Sequence, residues 1–276
     1  MNALNAISPI DGRYSQSTIK LNNYFSESAL IKYRVHIEIH YFLELCKIIP
    51  SLKKINNSKR KKIELIAKNI STNDVKKVKK IESKINHDVK AIEYFIREEF
   101  IKLGLKKYIE YIHFGLTSQD INNTALTLIL KDFICVYYFD IINCIMVKIY
   151  SFGERYKDTP MLSRTHGQSA SPTYVGKELL VFYERISVQL DNLNIMYDSL
   201  STKFGGAVGN LNAHYVAYPD VDWISQFDIF IDSLGHELIK KYGVLNKKFS
   251  FHCPVRMQMG YSATAIPTIL TGKYPY

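Results

Sequence analysis

Two long stretches of this chain are typical of single long helices, and they constrain the fold more than any other feature. The first covers residues 120 to about 153, and the second begins at Pro172, a residue type favoured at the first helical position, and continues to about residue 204. At 1.5 Å per residue, each predicts a helix roughly 45 Å long. Because both stretches are apolar on more than one face, neither could bury itself alone, and together they predict a helical bundle.

Two shorter helices are predicted before them. Ser26 is placed to cap the first, which ends before Pro50, and Asp88 is placed to cap the second, which ends at Gly104. Apolar residues recur at three- and four-residue steps in both: Leu30, Tyr33, Ile37, Tyr41 and Leu45 in the first, and Val89, Ile92, Phe95, Ile96, Phe100 and Leu103 in the second. This spacing gives each helix one apolar face.

The chain gives no sign of a β-sheet or of an α/β nucleotide-binding fold. No sustained alternation of apolar and polar residues occurs, and no strand precedes a glycine-rich phosphate loop. The sequence therefore predicts an all-α protein. Short helices give way to long ones near residues 104–115, so we expect a small N-terminal helical domain, residues 1–111. A central long-helix bundle, residues 112–276, is expected to follow and to be incomplete, with a divergent tail from about residue 236.

The formal net charge of +10 makes nucleic acid a partner to consider, because clustered Lys and Arg side chains bind phosphate. The densest basic runs, residues 59–62 and 76–80, contain no interleaved aromatic residue and lie on polar faces of short helical stretches. They are therefore interpreted as solvated faces, and no nucleic-acid partner is expected. A nucleic-acid binder is kept as an alternative, whose affinity would fall steeply with salt.

Cysteine use predicts a cytoplasmic protein. The four cysteines, which form no C-x-x-C pair, are Cys46, Cys135, Cys144 and Cys253. They are expected to be reduced core thiols. The first residues lack a basic region followed by an apolar block, so no signal peptide is expected. The most apolar stretch, residues 133–150, is interrupted by Asp140 and Lys148, so no membrane segment is predicted.

Unusual polar groups are concentrated in loops, most of which precede predicted helices. These loops are residues 11–14, 86–88, 115–120 and 163–169. The N-terminus of a helix presents free backbone N–H groups and the positive end of a dipole, so it attracts carboxylates and phosphates. The last three loops carry two histidines and an arginine, His87, His166 and Arg164, and are expected to line a pocket for anions together.

Each of these groups also has a purely structural interpretation. Asp88 and Asp120, taken alone, are ordinary N-caps. His87 and His166 fit a hydrogen-bonded turn as well as a catalytic role, because a histidine titrates in the useful range wherever it lies.

Two further patterns favour structure over function. His36 and His40 have helical spacing that suits a metal ion, but no third ligand lies nearby in the sequence, so solvent-facing histidines are favoured. Residues 205–210 resemble a phosphate cradle, but they follow a helix rather than a strand, so a flexible connection is favoured.

Six motifs occur in one order along the chain. They are P-x-D-G-R-Y, N-H-D-V-K-A-x-E-Y-F, I-H-F-G-x-T-S-x-D-I-N-N, L-S-R-T-H-G-Q-x-A-x-P-x-x-x-G-K-E, G-A-V-G-N-x-N-A-H and Y-P-x-V-D-W. Together they resemble the adenylosuccinate lyase family, within the fumarase and aspartase superfamily of all-helical lyases. The resemblance covers about residues 7–235. The first two motifs favour this family over fumarase and argininosuccinate lyase.

The resemblance implies a carbon–nitrogen lyase that releases fumarate by β-elimination. Its substrates would be adenylosuccinate, which gives AMP, and SAICAR, which gives AICAR. The resemblance implies no metal and no other cofactor. It also implies a homotetramer in which each active site is assembled from several subunits.

The resemblance further implies which residues serve the reaction. His166 would be the general acid toward the leaving nitrogen, and His87 would assist by binding and orienting the substrate. The residues with implied substrate contacts are Thr117 and Ser118 for a succinyl carboxylate, Thr165 and Gln168 beside them, Arg13 and Tyr14 for the nucleotide phosphate, and Asn86 and Asp88 in a second contact loop.

The end of the sequence departs from the family. After about residue 235 the motifs stop, and the family's signature S-S-x-M-P-x-K-x-N-P, which supplies the carbon base, does not occur in the sequence. We therefore expect a truncated lyase. Two alternatives follow from this departure: a catalytically dead lyase and a non-catalytic helical protein that binds anions.

Overall fold

The structure, a computed structural model, describes residues 3–242. Its helices and strands are α1 (Ser15–Thr18), α2 (Asn22–Phe25), α3 (Glu27–Ile48), α4 (Pro50–Lys53), α5 (Asn57–Lys68), α6 (Thr72–Ile85), α7 (Asp88–Lys102), α8 (Ser118–Asp132), α9 (Phe139–Arg155), β1 (Pro160–Thr165), β2 (Gln168–Tyr174), α10 (Val175–Ser199), α11 (Asn212–Ala217) and α12 (Trp223–Tyr242). Short 3-10 segments lie at Ala3–Asn5, Ile19–Leu21 and Lys106–Tyr111. The all-α prediction is confirmed.

The described residues form two compact units. The first contains residues 3–132 and 201–237, and the second contains residues 133–200 and the end of α12. The domain boundary between residues 111 and 112 stays a prediction. The divergent tail predicted from about residue 236 lies largely outside the described residues.

Helix α3 is the central helix of the first unit. The Ser26 hydroxyl accepts a hydrogen bond from the Ala29 N–H at 3.1 Å, and Pro50 follows one residue after the extended Ile49, so both predicted ends are confirmed. Its buried residues pack against α5, α7 and α8. Two residues differ from expectation: the rings of His36 and His40 lie 4.1 Å apart and are half-buried rather than solvent-facing.

The first predicted long helix is present with a change of geometry inside it. Helix α8 and helix α9 are separated by a π-helical segment, Phe133–Tyr138. A π-turn adds a residue to the helical turn, so this segment departs from the geometry of a regular helix.

Helices α9 and α10 form the core of the second unit. The buried residues of this core are Phe139, Met146, Tyr183 and Leu190. They recur at seven-residue steps on each helix, which is the spacing of a single apolar seam. At one end, Gly176 lies so close to α9 that a Cβ there would come within 2.2 Å of the Gly153 carbonyl oxygen. Any side chain at residue 176 would therefore force the two helices apart.

The prediction that a helix begins at Pro172 is wrong, because this segment forms a β-hairpin. Strands β1 and β2 pair antiparallel, and Pro172 faces Leu162 across the hairpin. Helix α10 starts at Val175 and ends at Ser199, inside the predicted range. Proline suits the edge of a two-stranded sheet as well as the start of a helix, since neither position requires its missing N–H.

Surface features agree in part with the sequence predictions. Both basic runs lie on helices α5 and α6 and are largely exposed, which confirms the solvated faces. The core-thiol prediction holds for Cys46, but Cys135 is half-buried and Cys144 is exposed; Cys253 lies outside the described residues. Across residues 3–242, no helix has the length and apolar character needed to cross a membrane.

Candidate functional site

Helix α7 begins with the contact loop at residues 86–88. Asn86 has a left-handed backbone, with φ of 53°, and ends α6. The N-cap of α7 is His87, whose Nδ1 accepts from the Lys90 N–H at 3.1 Å. The prediction of Asp88 as N-cap is therefore wrong by one residue. His87 has the extended backbone that an N-cap requires, and its side chain remains 51% exposed.

Asp88 is held by a buried arginine instead. Arg34 Nη2 donates to Asp88 Oδ2 at 2.6 Å, and Arg34 Nε donates to Asn122 Oδ1 at 2.8 Å. Burial raises the pKa of Asp88, but the Val89 N–H and the Arg34 guanidinium outweigh it, so the pKa lies below its usual value. Asp88 is therefore a carboxylate tied to α3, and α3 is tied through Asn122 to α8.

The contact loop at residues 117–118 is organised by Asp120. Its Oδ2 accepts from the Thr117 N–H at 2.7 Å and from the Thr117 hydroxyl at 2.9 Å. The interpretation of Asp120 as an ordinary N-cap is wrong, because it lies in the first turn of α8 and is fully buried. The hydroxyl proton of Thr117 is directed at Asp120, while Ser118, half-buried beside it, begins the helix.

Asp120 also anchors the glycine-rich segment at residues 205–210. Its Oδ1 accepts from Lys203 Nζ at 2.7 Å, the Gly205 N–H at 2.8 Å and the Gly206 N–H at 3.2 Å. Burial raises the pKa of Asp120. The bonds from Lys203, Gly205 and Thr117 lower it by more than burial raises it, so the pKa lies below its usual value. The predicted flexible connection is therefore fixed at its start, and its backbone N–H groups bind a carboxylate of the chain itself rather than a phosphate.

A buried histidine lies next to this loop. His214 Nε2 is 2.9 Å from the Tyr41 hydroxyl, which donates to the Phe114 carbonyl oxygen at 2.7 Å. His214 Nδ1 has no hydrogen-bond partner among the described residues, so we assign the proton to Nε2. Burial lowers the pKa of His214 to about 4. A side chain on Gly115, whose φ is 69°, would come within 2.4 Å of this ring.

A second histidine, His113, lies beside the buried carboxylate of Glu38. His113 Nδ1 lies 2.5 Å from Glu38 Oε1, and the Glu38 side chain is fully buried. Burial lowers the pKa of His113, but the Glu38 carboxylate raises it more, so the net pKa is above its usual value. The contact between His113 and Glu38 therefore ties the segment that precedes α8 to α3.

Stability is expected to fall in acid because of His214. In the unfolded chain His214 takes up a proton near pH 6.5, but in the folded chain it does so only near pH 4. The free energy of unfolding therefore keeps its full value above about pH 6.5 and decreases as the pH falls from about 6.5 to about 4. The loss is up to about 3 kcal/mol. Urea unfolding at a series of pH values measures it.

The matched variant for this measurement is His214→Gln, which keeps a hydrogen-bonding side chain but cannot titrate. Its stability is expected to vary less with pH than that of the unsubstituted chain. His113 acts in the opposite direction. Its contribution to the free energy of unfolding is fully present below about pH 6.5 and is lost as the pH rises through its raised pKa. Equal pH dependence in the two proteins would contradict the assignment to His214.

The phosphate-contact residues predicted near the N-terminus lie in an exposed turn. The Asp11 and Gly12 N–H groups donate to the Ser8 carbonyl oxygen, which closes the turn. The Arg13 guanidinium lies 5.4 Å from the centre of the Tyr14 ring, and both side chains are exposed. The geometry leaves the cation and the phenol accessible to a ligand.

The remaining predicted residues lie at the tip of the hairpin in the second unit. Thr165 pairs with Gln168, and His166 and Gly167 form the two-residue turn between them with φ values of 49° and 75°. Such positive values are those of a type I′ hairpin turn. The placement of His166 immediately before a helix is therefore wrong. All three predicted side chains are exposed.

In the first unit, the structure connects two of the predicted contact loops. Residues 86–88 and 117–118 are linked through Arg34 and Asn122. Thr165, His166 and Gln168 belong to the second unit. The functional roles of all these residues stay predictions.

Comparison with known proteins identifies the family. A family model described as lyase matches residues 12–240 of the chain. The chain belongs to this lyase family. An adenylosuccinate lyase from Dictyostelium discoideum is 46% identical over 248 residues, which are 87% of this chain and 53% of the relative. The adenylosuccinate lyase of Escherichia coli K12 is 38% identical over 242 residues, 85% of this chain and 52% of the relative. The predicted resemblance is therefore confirmed.

Solved structures support the fold of the chain. A fumarate lyase from Mesorhizobium superposes with a TM-score of 0.57 at 21% identity and covers 71% of this chain and 44% of its own. A β-carboxy-cis,cis-muconate cycloisomerase from Acinetobacter calcoaceticus superposes with a TM-score of 0.60 at 21% identity, over 80% of this chain and 48% of its own. The chain spans about half the length of the curated relatives it matches.

Several residues that organise the predicted contact loops were not assigned by the sequence reasoning. Asn122, His113 and His214 lie inside the quoted motifs, so their presence was noted without a role. Arg34 and Lys203 lie outside every motif. An arginine within an apolar helical pattern, as at Arg34, is the signal that would have suggested a buried ion pair.

Proposed function

We propose that the protein to which this chain belongs is an adenylosuccinate lyase that splits adenylosuccinate into fumarate and AMP, and SAICAR into fumarate and AICAR. The observation that carries the proposal is 46% identity to an adenylosuccinate lyase over 87% of the chain. The aligned stretch includes the contact loops at residues 86–88, 117–118 and 165–168. Neither the catalytically dead nor the non-catalytic alternative is favoured by this similarity.

The reaction removes a weakly acidic proton from the succinyl group and protonates the departing nitrogen. His166 is proposed as the acid, and its exposed position on the hairpin turn leaves the ring accessible. Thr165 and Gln168 flank it. His87 is proposed to orient the substrate, since its Nδ1 is engaged by its own helix and its Nε2 remains for a ligand.

Anionic groups of the substrate are proposed to bind at the remaining contacts. A succinyl carboxylate would accept from the Ser118 hydroxyl and the free N–H groups at the start of α8, with Thr117 supplying the backbone held by Asp120. The nucleotide phosphate would bind Arg13 and Tyr14. The carbon base belongs to the signature loop, which this chain does not contain.

The test of the proposal with the chain as it exists is equilibrium binding of adenylosuccinate by calorimetry. We expect adenylosuccinate to bind more tightly than AMP, because only adenylosuccinate carries the succinyl carboxylates. Nucleic-acid binding would instead show no such preference and an affinity that falls steeply with salt. Equal affinity for the two nucleotides would contradict the proposal.

A cytoplasmic location is proposed with the function.

We further propose that the second unit packs against other copies of the chain. Its helices α9 and α10 expose large apolar side chains, among them Phe182, Ile195 and Met196, with Ile195 69% exposed. Exposed apolar surface on this scale marks an interface. A homotetramer is the assembly that the family resemblance implies.

Sedimentation at micromolar concentration is expected to show a species larger than a monomer. The Ile195→Lys variant should shift it toward the monomer, because a charge cannot be buried in an apolar interface without a partner. Lys177→Glu, at the start of the same helix, serves as the matched control. A monomer in the unsubstituted chain would contradict the proposed assembly.

A further inference from the structure

We infer that Arg34 is a positioning residue that fixes the first turns of α7 and α8 relative to each other. These turns carry the contact loops at residues 86–88 and 117–118, so Arg34 sets the geometry between two predicted parts of the substrate site. The functional meaning of this geometry rests on the proposed function, whereas the contacts themselves do not.

The guanidinium of Arg34 binds partners on two different helices. Nη2 donates to Asp88 Oδ2 at 2.6 Å on α7, and Nε donates to Asn122 Oδ1 at 2.8 Å on α8. The side chain of Arg34 is only 7% exposed. Because the guanidinium is planar and rigid, the two bonds together fix the separation of Asp88 and Asn122.

The contacts of Asp88 also fix the position of His87. The other carboxylate oxygen, Oδ1, accepts from the Val89 N–H at 2.8 Å and lies 3.7 Å from His87 Nδ1. His87 in turn caps the same helical turn through the Lys90 N–H. A displacement of Asp88 would therefore move the backbone turn that aims the His87 ring.

Arg34 also balances charge at the start of α7. Asp88 is ionised and only part-buried, so without Arg34 it would place an uncompensated negative charge beside His87. Such a charge would repel the carboxylates and the phosphate of the proposed substrate. An ion pair with one part-exposed partner gives little net stability, so fixed geometry and charge balance are what this pair adds.

The test compares Arg34→Met and Arg34→Lys with the unsubstituted chain. Hydrogen–deuterium exchange is expected to become faster at the first turns of both α7 and α8 in Arg34→Met. In Arg34→Lys, one ammonium group cannot reproduce the fork, so at least one of the two turns should still exchange faster. The dissociation constant for adenylosuccinate should rise about tenfold or more in both variants.

Arg97→Met is the matched control, because Arg97 lies further along α7 and pairs with Glu93 and Glu110 rather than with a contact loop. It should leave exchange at both turns and the dissociation constant close to those of the unsubstituted chain. Circular dichroism checks that each variant is folded.

Two results would overturn the inference: unchanged exchange at both turns in Arg34→Met, or unchanged adenylosuccinate affinity in that variant. Failure of the unsubstituted chain to bind adenylosuccinate would count against the proposed function instead. In that case exchange alone decides the inference, because faster exchange at both turns supports the link through Arg34 and unchanged exchange contradicts it.

Discussion

Replacing His166 with alanine is expected to slow fumarate release by about 10²–10⁴-fold, the usual contribution of a general acid. The protein for this measurement is a chimera in which residues 12–240 come from this chain and the rest of the sequence comes from the Dictyostelium discoideum relative, of which this chain covers 53%. The departing purine nitrogen needs a proton, and alanine cannot supply one. Because the acid acts on the leaving group, kcat should fall while KM changes little.

Ser169→Ala is the matched control for this prediction. Ser169 lies on the same hairpin and is exposed like His166, but it occupies a position that the family motif leaves unspecified. It should retain nearly the full rate. His166→Gln should be as slow as His166→Ala, because glutamine keeps a hydrogen-bond donor but does not act as an acid at neutral pH. A near-normal rate in either His166 variant would contradict the assignment.

Replacing Asp120 with alanine is expected to destabilise the chain by about 2–4 kcal/mol, because each buried N–H group that loses its acceptor costs about 1–3 kcal/mol. The carboxylate is fully buried and accepts bonds from Thr117, Lys203, Gly205 and Gly206. Without it, the buried Gly205 and Gly206 N–H groups lose their acceptor, and the part-exposed Lys203 ammonium loses its carboxylate partner. Urea unfolding of the chain measures the change.

Asp222→Ala is the control for this second prediction. Asp222 makes a similar set of local bonds to Ser225, but it is exposed and lies at the start of α12. Water can replace those bonds, so the unfolding midpoint should change far less than in Asp120→Ala. Similar midpoints for the two variants would show that burial of Asp120 does not carry the stabilising effect.

The helices that could be predicted are those whose signals are local. Helix α3 begins at Ser26 and ends before Pro50 as expected, because capping and proline act within a few residues. The hairpin at residues 160–174 was missed because Pro172 carries a helix-start signal and its strands show little alternation of apolar residues. Proline fits both a strand edge and a helix start, and in this structure Pro172 lies in β2 because β2 pairs with β1.

The contact loops could be located from motifs, but their internal bonds could not. Asp120 was interpreted as a cap because its partner Lys203 lies 83 residues further along the chain. The partner of Asp88, Arg34, is 54 residues away. Such long-range pairs leave no periodic pattern in one sequence, so only the fold brings them together.

Fumarate release from adenylosuccinate by the chimera tests the central claim most directly. The chimera obtains residues 12–240, and with them His166 and the contact loops, from this chain. If this segment supplies the lyase site, the purified chimera should convert adenylosuccinate into equal amounts of fumarate and AMP. A folded chimera of the same oligomeric size as the Dictyostelium enzyme that releases no fumarate would contradict the claim.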